Sequence, residues 1–282
     1  MIIFESSDAM RQWSMSERQH NRTIGFVPTM GFLHDGHLSL VDHARRHARV
    51  DSVVMSIFVN PTQFGPNEDF DRYPRDRARD ETMARQAGVD VLFLPDIEDI
   101  YPAGARTFVE VEGLGSIMCG ASRPTHFRGV TTVVTKLFNI VLPHVAVFGQ
   151  KDAQQFLILR RMVRDLKLDI DMHMAPIVRE PDGLAMSSRN VYLNDDERRQ
   201  ALCLSQSLTI ARRMIEEGKT STAEIIHAMQ SHINAHSLAR PDYVTIRDPD
   251  SLEELNVVKK PMLVALAVYV GKTRLIDNWI LE

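Results

Sequence analysis

The chain has 282 residues, 44% apolar and 25% charged, which allows a large hydrophobic core and excludes a disordered protein. Its formal net charge of −4 gives no overall basic signature for nucleic-acid binding. The two cysteines, Cys119 and Cys203, form no C-x-x-C pair, so no disulfide framework is expected and a reducing cytoplasm fits.

The opening residues, MIIFESSDAMRQW, lack a basic leader followed by a long apolar run, so no signal peptide is expected. Residues 23–27 predict the first core strand, ended by Pro28, because proline interrupts a central hydrogen-bond ladder. A glycine-containing turn follows, and then a helix with Leu38, Val41, Ala44 and Ala48 at helical spacing. The alternation repeats: strands at 53–58, 91–94, 145–148 and 170–175, and helices at 75–86, 131–142 and 153–166. Short buried strands alternating with helices predict an α/β domain on a mostly parallel, Rossmann-like sheet, with ligands beyond the C-terminal strand ends. After Pro176 the character changes. Helices at 196–217 and 222–235 and strands at 243–247, 263–270 and 274–281 predict a smaller C-terminal α+β domain. The longest apolar stretch, 261–271, is too short to span a membrane and reads as a buried strand.

Four clusters carry candidate chemistry. In PTMGFLHDGH (28–37), His34 and His37 are three apart, so on a helix both imidazoles share a face. There they could meet phosphate near a helix start and stabilise developing charge. The alternative is two histidines at the surface or core edge. Too few ligands stand nearby for zinc. In FVNPTQF (58–64), Asn60 and Gln63 offer amides that donate and accept without adding charge. The alternative is an Asn-Pro turn with solvated amides. In FGQKDAQQ (148–155), Gly149 allows close backbone approach, Lys151 is a point charge for phosphate, and Asp152 can accept from ribose hydroxyls. Gln155 lies one helical turn from Lys151. The alternative is a helix cap with Asp152 favoured by the dipole. In Met186-Ser187-Ser188-Arg189, hydroxyls and a guanidinium suit a phosphate chain, against a plain serine-rich linker. Arg123 is a further candidate cation. Neither G-x-x-x-x-G-K-[ST], G-x-G-x-x-G nor G-x-S-x-G is present, which argues against a P-loop enzyme, the usual dinucleotide site and a nucleophile elbow.

H-D-G-H followed much later by M-S-S-R resembles the paired signatures of the nucleotidyltransferase superfamily. Five segments, 28–40, 56–75, 123–141, 148–155 and 179–193, resemble the pantothenate synthetase (pantoate–β-alanine ligase) family in order and spacing. The resemblance covers essentially the whole chain. It implies a domain over 1–176 that binds nucleotide and pantoate, and a lid domain over 177–282.

The resemblance assigns ATP phosphates to His34 and His37, and to Lys151. Gly149 and Asp152 are placed around adenosine and ribose. Met186, Ser187, Ser188 and Arg189 form the segment that closes on the phosphates. Gln63 and Gln155 are matched to pantoate, Asn60 and Arg123 to the β-alanine step, Met30 to the pantoate pocket through its main chain, and Tyr73 to the mouth of the site. Asp80 is the candidate Mg²⁺ ligand. Phe32, Asp35 and Gln150 depart from the family's usual residues without replacing a functional side chain. The implied reaction joins pantoate and β-alanine with ATP and Mg²⁺ through a pantoyl adenylate. The implied protein is a cytoplasmic homodimer with no nucleic-acid or membrane partner. A related adenylyltransferase would not need Asn60, Gln63 and Gln155 together. A non-catalytic nucleotide-binding module would favour loss of a phosphate-binding residue.

Overall fold

The computed structural model describes residues 1–66 and 68–282; Asn67, inside the 56–75 segment, lies outside the described residues. The chain divides into two compact units. One holds residues 1–150 and 154–176, the other residues 151–153 and 177–282.

The first unit runs β1 (Ile2–Phe4), α1 (Ser7–Gln19), β2 (Ile24–Thr29), α2 (Asp35–Arg46), β3 (Ser52–Ile57), α3 (Arg77–Gln86), β4 (Val91–Phe93), α4 (Ile97–Ile100), α5 (Cys119–Ser122), α6 (His126–Val141), β5 (Val145–Gly149), α7 (Ala153–Asp165) and β6 (Asp171–Ala175). Among the described residues its sheet has six strands in the order β1-β4-β3-β2-β5-β6, every pair parallel. Helical crossovers cover both faces of such a sheet, so its central strands read as unbroken apolar runs: Val53, Val54 and Met55 of β3 are all fully buried. The chain winds outward from β2 to β3 and β4, then returns to the other side of β2 as β5. The strand order therefore reverses between β2 and β5, the place where open α/β sheets bind ligands.

Three details differ from the sequence expectation. Strand β2 does not stop before Pro28 but continues to Thr29, with Pro28 opposite Ser56 of β3. The carbonyl of Ile24 accepts from His144 on the β5 side, while that of Thr29 accepts from Phe58 on the β3 side. Strand residues alternate sides, so the nitrogen of Pro28 faces β5. Pairing with β5 covers only Gly25 and Phe26, so the missing N–H interrupts no ladder. Second, β1 and α1 escaped the periodicity. The buried face of α1 is Met10, Ser14 and Glu17, two of them polar, with Glu17 accepting from Ser52 Oγ at 3.0 Å. Third, α6 begins at His126, five residues before the expected start.

The second unit packs α8 (Asp195–Ala201), α9 (Cys203–Glu216) and α10 (Thr222–Asn234) with an antiparallel sheet of β7 (Ala239–Arg247), β8 (Met262–Val270) and β9 (Thr273–Leu281), in that order. The single helix expected over 196–217 is two, joined at Leu202, whose φ of −61° and ψ of −18° close one helix and cap the next. Central β8 is buried at every position but Tyr269, as its apolar run implies. Its core joins Leu204, Leu208, Ile225, Met229, Val264 and Leu266. No helix among the described residues is long and apolar enough to cross a membrane.

Candidate active site

The turn after β2 is built by two side chains that collect its backbone donors. Thr29 Oγ1 donates to Ser56 O at 2.8 Å and accepts from Gly31 N at 3.2 Å. Asp80 of α3 accepts from Phe32 N and Leu33 N, one on each oxygen, both at 2.7 Å. Gly31 and Phe32 are both left-handed, at φ 81° and 49°. Leu33 is fully buried in the core, and His34 follows as the extended N-cap of α2. His34 N donates to His37 Nδ1 at 3.3 Å, and the ring centroids lie 4.0 Å apart. The two imidazoles therefore do share a face. Because Nδ1 of His37 accepts, its neutral ring carries hydrogen on Nε2, which is thereby a donor.

After β3, Asn60 caps a 3₁₀ turn over Pro61–Gln63. Its Oδ1 accepts from Thr62 N (3.3 Å), Thr62 Oγ1 (2.9 Å) and Tyr101 OH (2.9 Å), and its Nδ2 donates to Gln63 Oε1 (3.1 Å) and Gly129 O (3.2 Å). Asn60 is 1% exposed, which excludes a solvated Asn-Pro turn. Gln63 Nε2 in turn donates to the sulfur of Met30 at 2.8 Å, so the side chain of Met30, not only its main chain, belongs to this cluster. Helix α6 reaches it through Gly129: a Cβ there would stand 2.4 Å from Thr62 O.

Arg123 is not a cation held open. It forms a two-bond fork with Glu68 at 2.7 and 2.5 Å and donates to Gln63 O at 3.2 Å. Burial alone would raise the Glu68 carboxyl, but the hydrogen bonds and charge of Arg123 outweigh it and hold the group below the usual range. His126 joins the cluster, donating from Nδ1 to Gln63 O (2.9 Å) and accepting at Nε2 from Arg123 (3.1 Å). Tyr73, expected at the mouth, is buried with its ring 5.8 Å from that of Phe64.

Gly149 ends β5, beside Ala175 of β6. A Cβ there would meet nothing nearer than Leu40 Cδ2 at 3.9 Å, so the protein's own packing does not require glycine. Lys151 and Asp152 belong with the second unit, where Asn278 Nδ2 donates to Lys151 O at 3.0 Å and Lys151 Nζ lies 3.5 Å from Asp152. Gln155 of α7 is half-buried. Its neighbour Gln154 is buried and fastens the 114–119 loop through Leu114 O, Ile117 O and Cys119 N.

The Met186–Arg189 stretch is a folded turn, not a loose serine-rich linker. Met186 N donates to Val178 O, Arg179 bridges Ala185, and Ser187 caps a 3₁₀ turn over Ser188–Tyr192 by accepting from Arg189 N at 3.3 Å. Arg179 anchors it to Asp277 of β9 with bonds of 2.6 and 2.9 Å, and Asn190 anchors it to Glu180 at 2.6 Å. Ser188 is buried.

Asp80 does not fit the Mg²⁺ role expected of it. Each of its oxygens already takes a backbone N–H, and burial pushes its carboxyl above the ordinary aspartate range against those two bonds. Among the described residues no group of three or more His, Cys, Asp or Glu is placed to hold a metal ion. A cavity of about 330 Å³ opens beside the same turn, lined by Met30, Gly31, Phe58, Arg75 and Asp80 among others. Of the expected site residues only Met30 and Asp80 line it.

Glu68, Tyr101, His126, Gln154 and Asn278 take part in these clusters and were missed by sequence reasoning. Of these, His126 lies in the RPTHF stretch already singled out, and Gln154 beside Gln155.

The family model described as pantoate-beta-alanine ligase matches residues 2–280. The pantothenate synthetase of Thermotoga neapolitana is 56% identical over 281 residues, covering 100% of both chains, and that of Geobacter sulfurreducens is 52% identical, covering 100% of this chain and 99% of its own. The crystal structure of pantothenate synthetase from Thermus thermophilus is 44% identical with a TM-score of 0.93 and covers 99% of each chain. That of pantoate-beta-alanine ligase from Francisella tularensis, complexed with beta-gamma ATP and beta-alanine, is 35% identical with a TM-score of 0.81 and covers 99% of this chain and 97% of that one. Matched from end to end in sequence and fold, the chain belongs to the pantoate–β-alanine ligase family of enzymes.

Proposed function

We propose that the chain condenses (R)-pantoate with β-alanine in two steps driven by ATP. A free carboxylate is a poor acyl donor, so a pantoate carboxylate oxygen attacks the α-phosphorus of ATP. The bond to pyrophosphate breaks and pantoyl adenylate forms. The neutral amine of β-alanine then attacks the acyl carbon, AMP leaves, and the nitrogen loses a proton as pantothenate forms.

The observation that most supports this reading is the pairing of two donor sets on neighbouring strand ends of one sheet. Met30, His34 and His37 follow β2, and Asn60 and Gln63, which bonds the Met30 sulfur, follow β3. The Nε2 donor of His37 and the ring of His34 meet charge building on the phosphates. Gln63 and Gln155 hold pantoate, with Met30 in its pocket. Asn60 and Arg123 act by shaping the β-alanine side, since both are already bonded to protein groups. Tyr73 acts from within the aromatic packing of that side. Gly149, which neighbouring atoms do not demand, leaves room for the adenosine, and Asp152 takes the ribose hydroxyls. Lys151, Ser187, Ser188 and Arg189, supported by Met186, meet the phosphate chain. In this reading residues 1–176 form the catalytic domain and 177–282 the lid domain. Mg²⁺ enters as the partner of ATP, and no step is assigned to a protein-held metal. A cytoplasmic homodimer acting only on small molecules fits the family.

The test is an end-point reaction with MgATP, pantoate and β-alanine, following AMP and pantothenate by mass spectrometry with each substrate omitted in turn. Equal AMP and pantothenate are expected, dependent on all three substrates and reduced about 10²–10³-fold in His34→Ala. ATP binding with neither product overturns the reading.

A further inference from the structure

We propose that Asp80 is a positioning residue for the histidine pair: its carboxylate holds the left-handed turn that delivers His34 and His37. The inference rests on the function proposed above for its effect on rate, and on geometry alone for its effect on the turn.

Two successive left-handed residues are costly when the second is not glycine, and Phe32 at φ 49° is such a residue. That backbone points consecutive N–H groups into one concavity, the arrangement that binds anions. Here the anion is part of the protein. Asp80 fills the concavity with one oxygen on Phe32 N and the other on Leu33 N, both at 2.7 Å. Its side chain is 3% exposed, and Arg79 Nη1, at 3.7 Å, is the nearby cation. The fit is close from the other side too, because a Cβ on Gly31 would lie 2.9 Å from Asp80 Oδ2 and 2.8 Å from Ile57 Cγ2. The next residue is His34, whose own N–H sets the ring of His37. The grip on residues 32 and 33 is thus one peptide away from the group that orients the second imidazole. Bonds to an ionised acceptor are about twice as strong as neutral ones, and misplacement of a reacting group by about 1 Å can cost 10²-fold in rate. Direct Mg²⁺ ligation would need one of these oxygens at about 2.0–2.1 Å from the ion while each already accepts a backbone N–H.

The test compares wild type with Asp80→Asn and Asp80→Ala in three measurements: amide hydrogen exchange over residues 30–38, steady-state kinetics, and the Mg²⁺ dependence of rate. Asparagine keeps the volume and one acceptor while facing the other N–H with a donor, so it isolates the lost bond, and it keeps the test decisive where the alanine variant does not fold. For Asp80→Asn the expected result is exchange at Phe32 and Leu33 at least about 10-fold faster, with the other strands unchanged. The turnover number falls about 10–100-fold, KM for β-alanine stays within about twofold, and the Mg²⁺ midpoint does not move. Unchanged exchange at Phe32 and Leu33 overturns the proposal, as does recovery of full turnover by excess Mg²⁺. If wild type makes no pantothenate, the function proposed above fails, and the exchange measurement still decides the role of Asp80.

Discussion

Cys203 opens α9 and is fully buried, and desolvation pushes its thiol up to about 12. The thiolate is the reactive form, so the folded protein holds almost none at this position near neutral pH. Native protein treated with iodoacetamide at pH 8 is expected to leave Cys203 unmodified, and unfolded protein to alkylate it fully. Native labelling of Cys203 within minutes, seen by peptide mass, would contradict the burial. The same scale explains which site residues were legible. His34 and His37, and likewise Asn60 and Gln63, stand three positions apart near a strand end, so each pair was legible as a candidate, while the choice over surface histidines and over an Asn-Pro turn came from the family resemblance. Glu68, Tyr101 and Gln154 gain their roles from partners far along the chain. Arg123 was legible as a cation, but not its engagement by Glu68, which is 55 positions away.

At the scale of elements, Gly129 lets α6 lie against the 3₁₀ turn that carries Asn60 and Gln63. An added methyl would press on backbone atoms of Thr62 and Gln63 from 2.4 to 2.7 Å, and neither is a flexible tip. Gly129→Ala is expected to destabilise the protein by about 1–3 kcal/mol by overpacking. It should also lower turnover more than an exposed Gly→Ala such as Gly104→Ala, where the added Cβ meets nothing, although that position has a positive φ. Urea unfolding with paired kinetics checks both, and a Gly129→Ala protein as stable and active as wild type would show that α6 can retreat without cost. Strand–turn–helix units with apolar faces, such as β2–α2, were legible because burial and periodicity agree in them. Helix α1 was not, because it buries Ser14 and Glu17, and burial of polar groups leaves no apolar stripe to read. The extent of β2 was misjudged at Pro28, because sequence does not say on which side the neighbouring ladder ends.

At the scale of the whole molecule, the second unit contains an acid-sensitive turn. Asp248 accepts from Ser251 N and Asp250 N, with Lys259 3.1 Å away, and these bonds hold its carboxyl at about 2, below its ordinary 3.8. A group depressed on folding stabilises the native state fully above its unfolded value and loses that contribution as pH falls through the folded one. The stability gap between wild type and Asp248→Ala is therefore expected to be constant from neutrality to about pH 4 and to close toward pH 2. A carboxyl titration by NMR with a midpoint at the ordinary value would refute it.

The strand orders of the two units set different demands on the order of events in folding. In the second unit each strand pairs with its immediate successor, so β7, β8 and β9 can zip together from nearby chain. In the first, β1 pairs only with β4, across a loop of about ninety residues. Ile2–Phe4 thus leaves the ribosome well before Val91–Phe93 and cannot find its place until that strand has followed it out. The pairing of β2 with β5 waits longer still, across about 120 residues from Gly25 to Val145, so the most distant closure of the sheet falls between the strands whose C-terminal ends carry the chemistry, and β1 is a second late edge at its border.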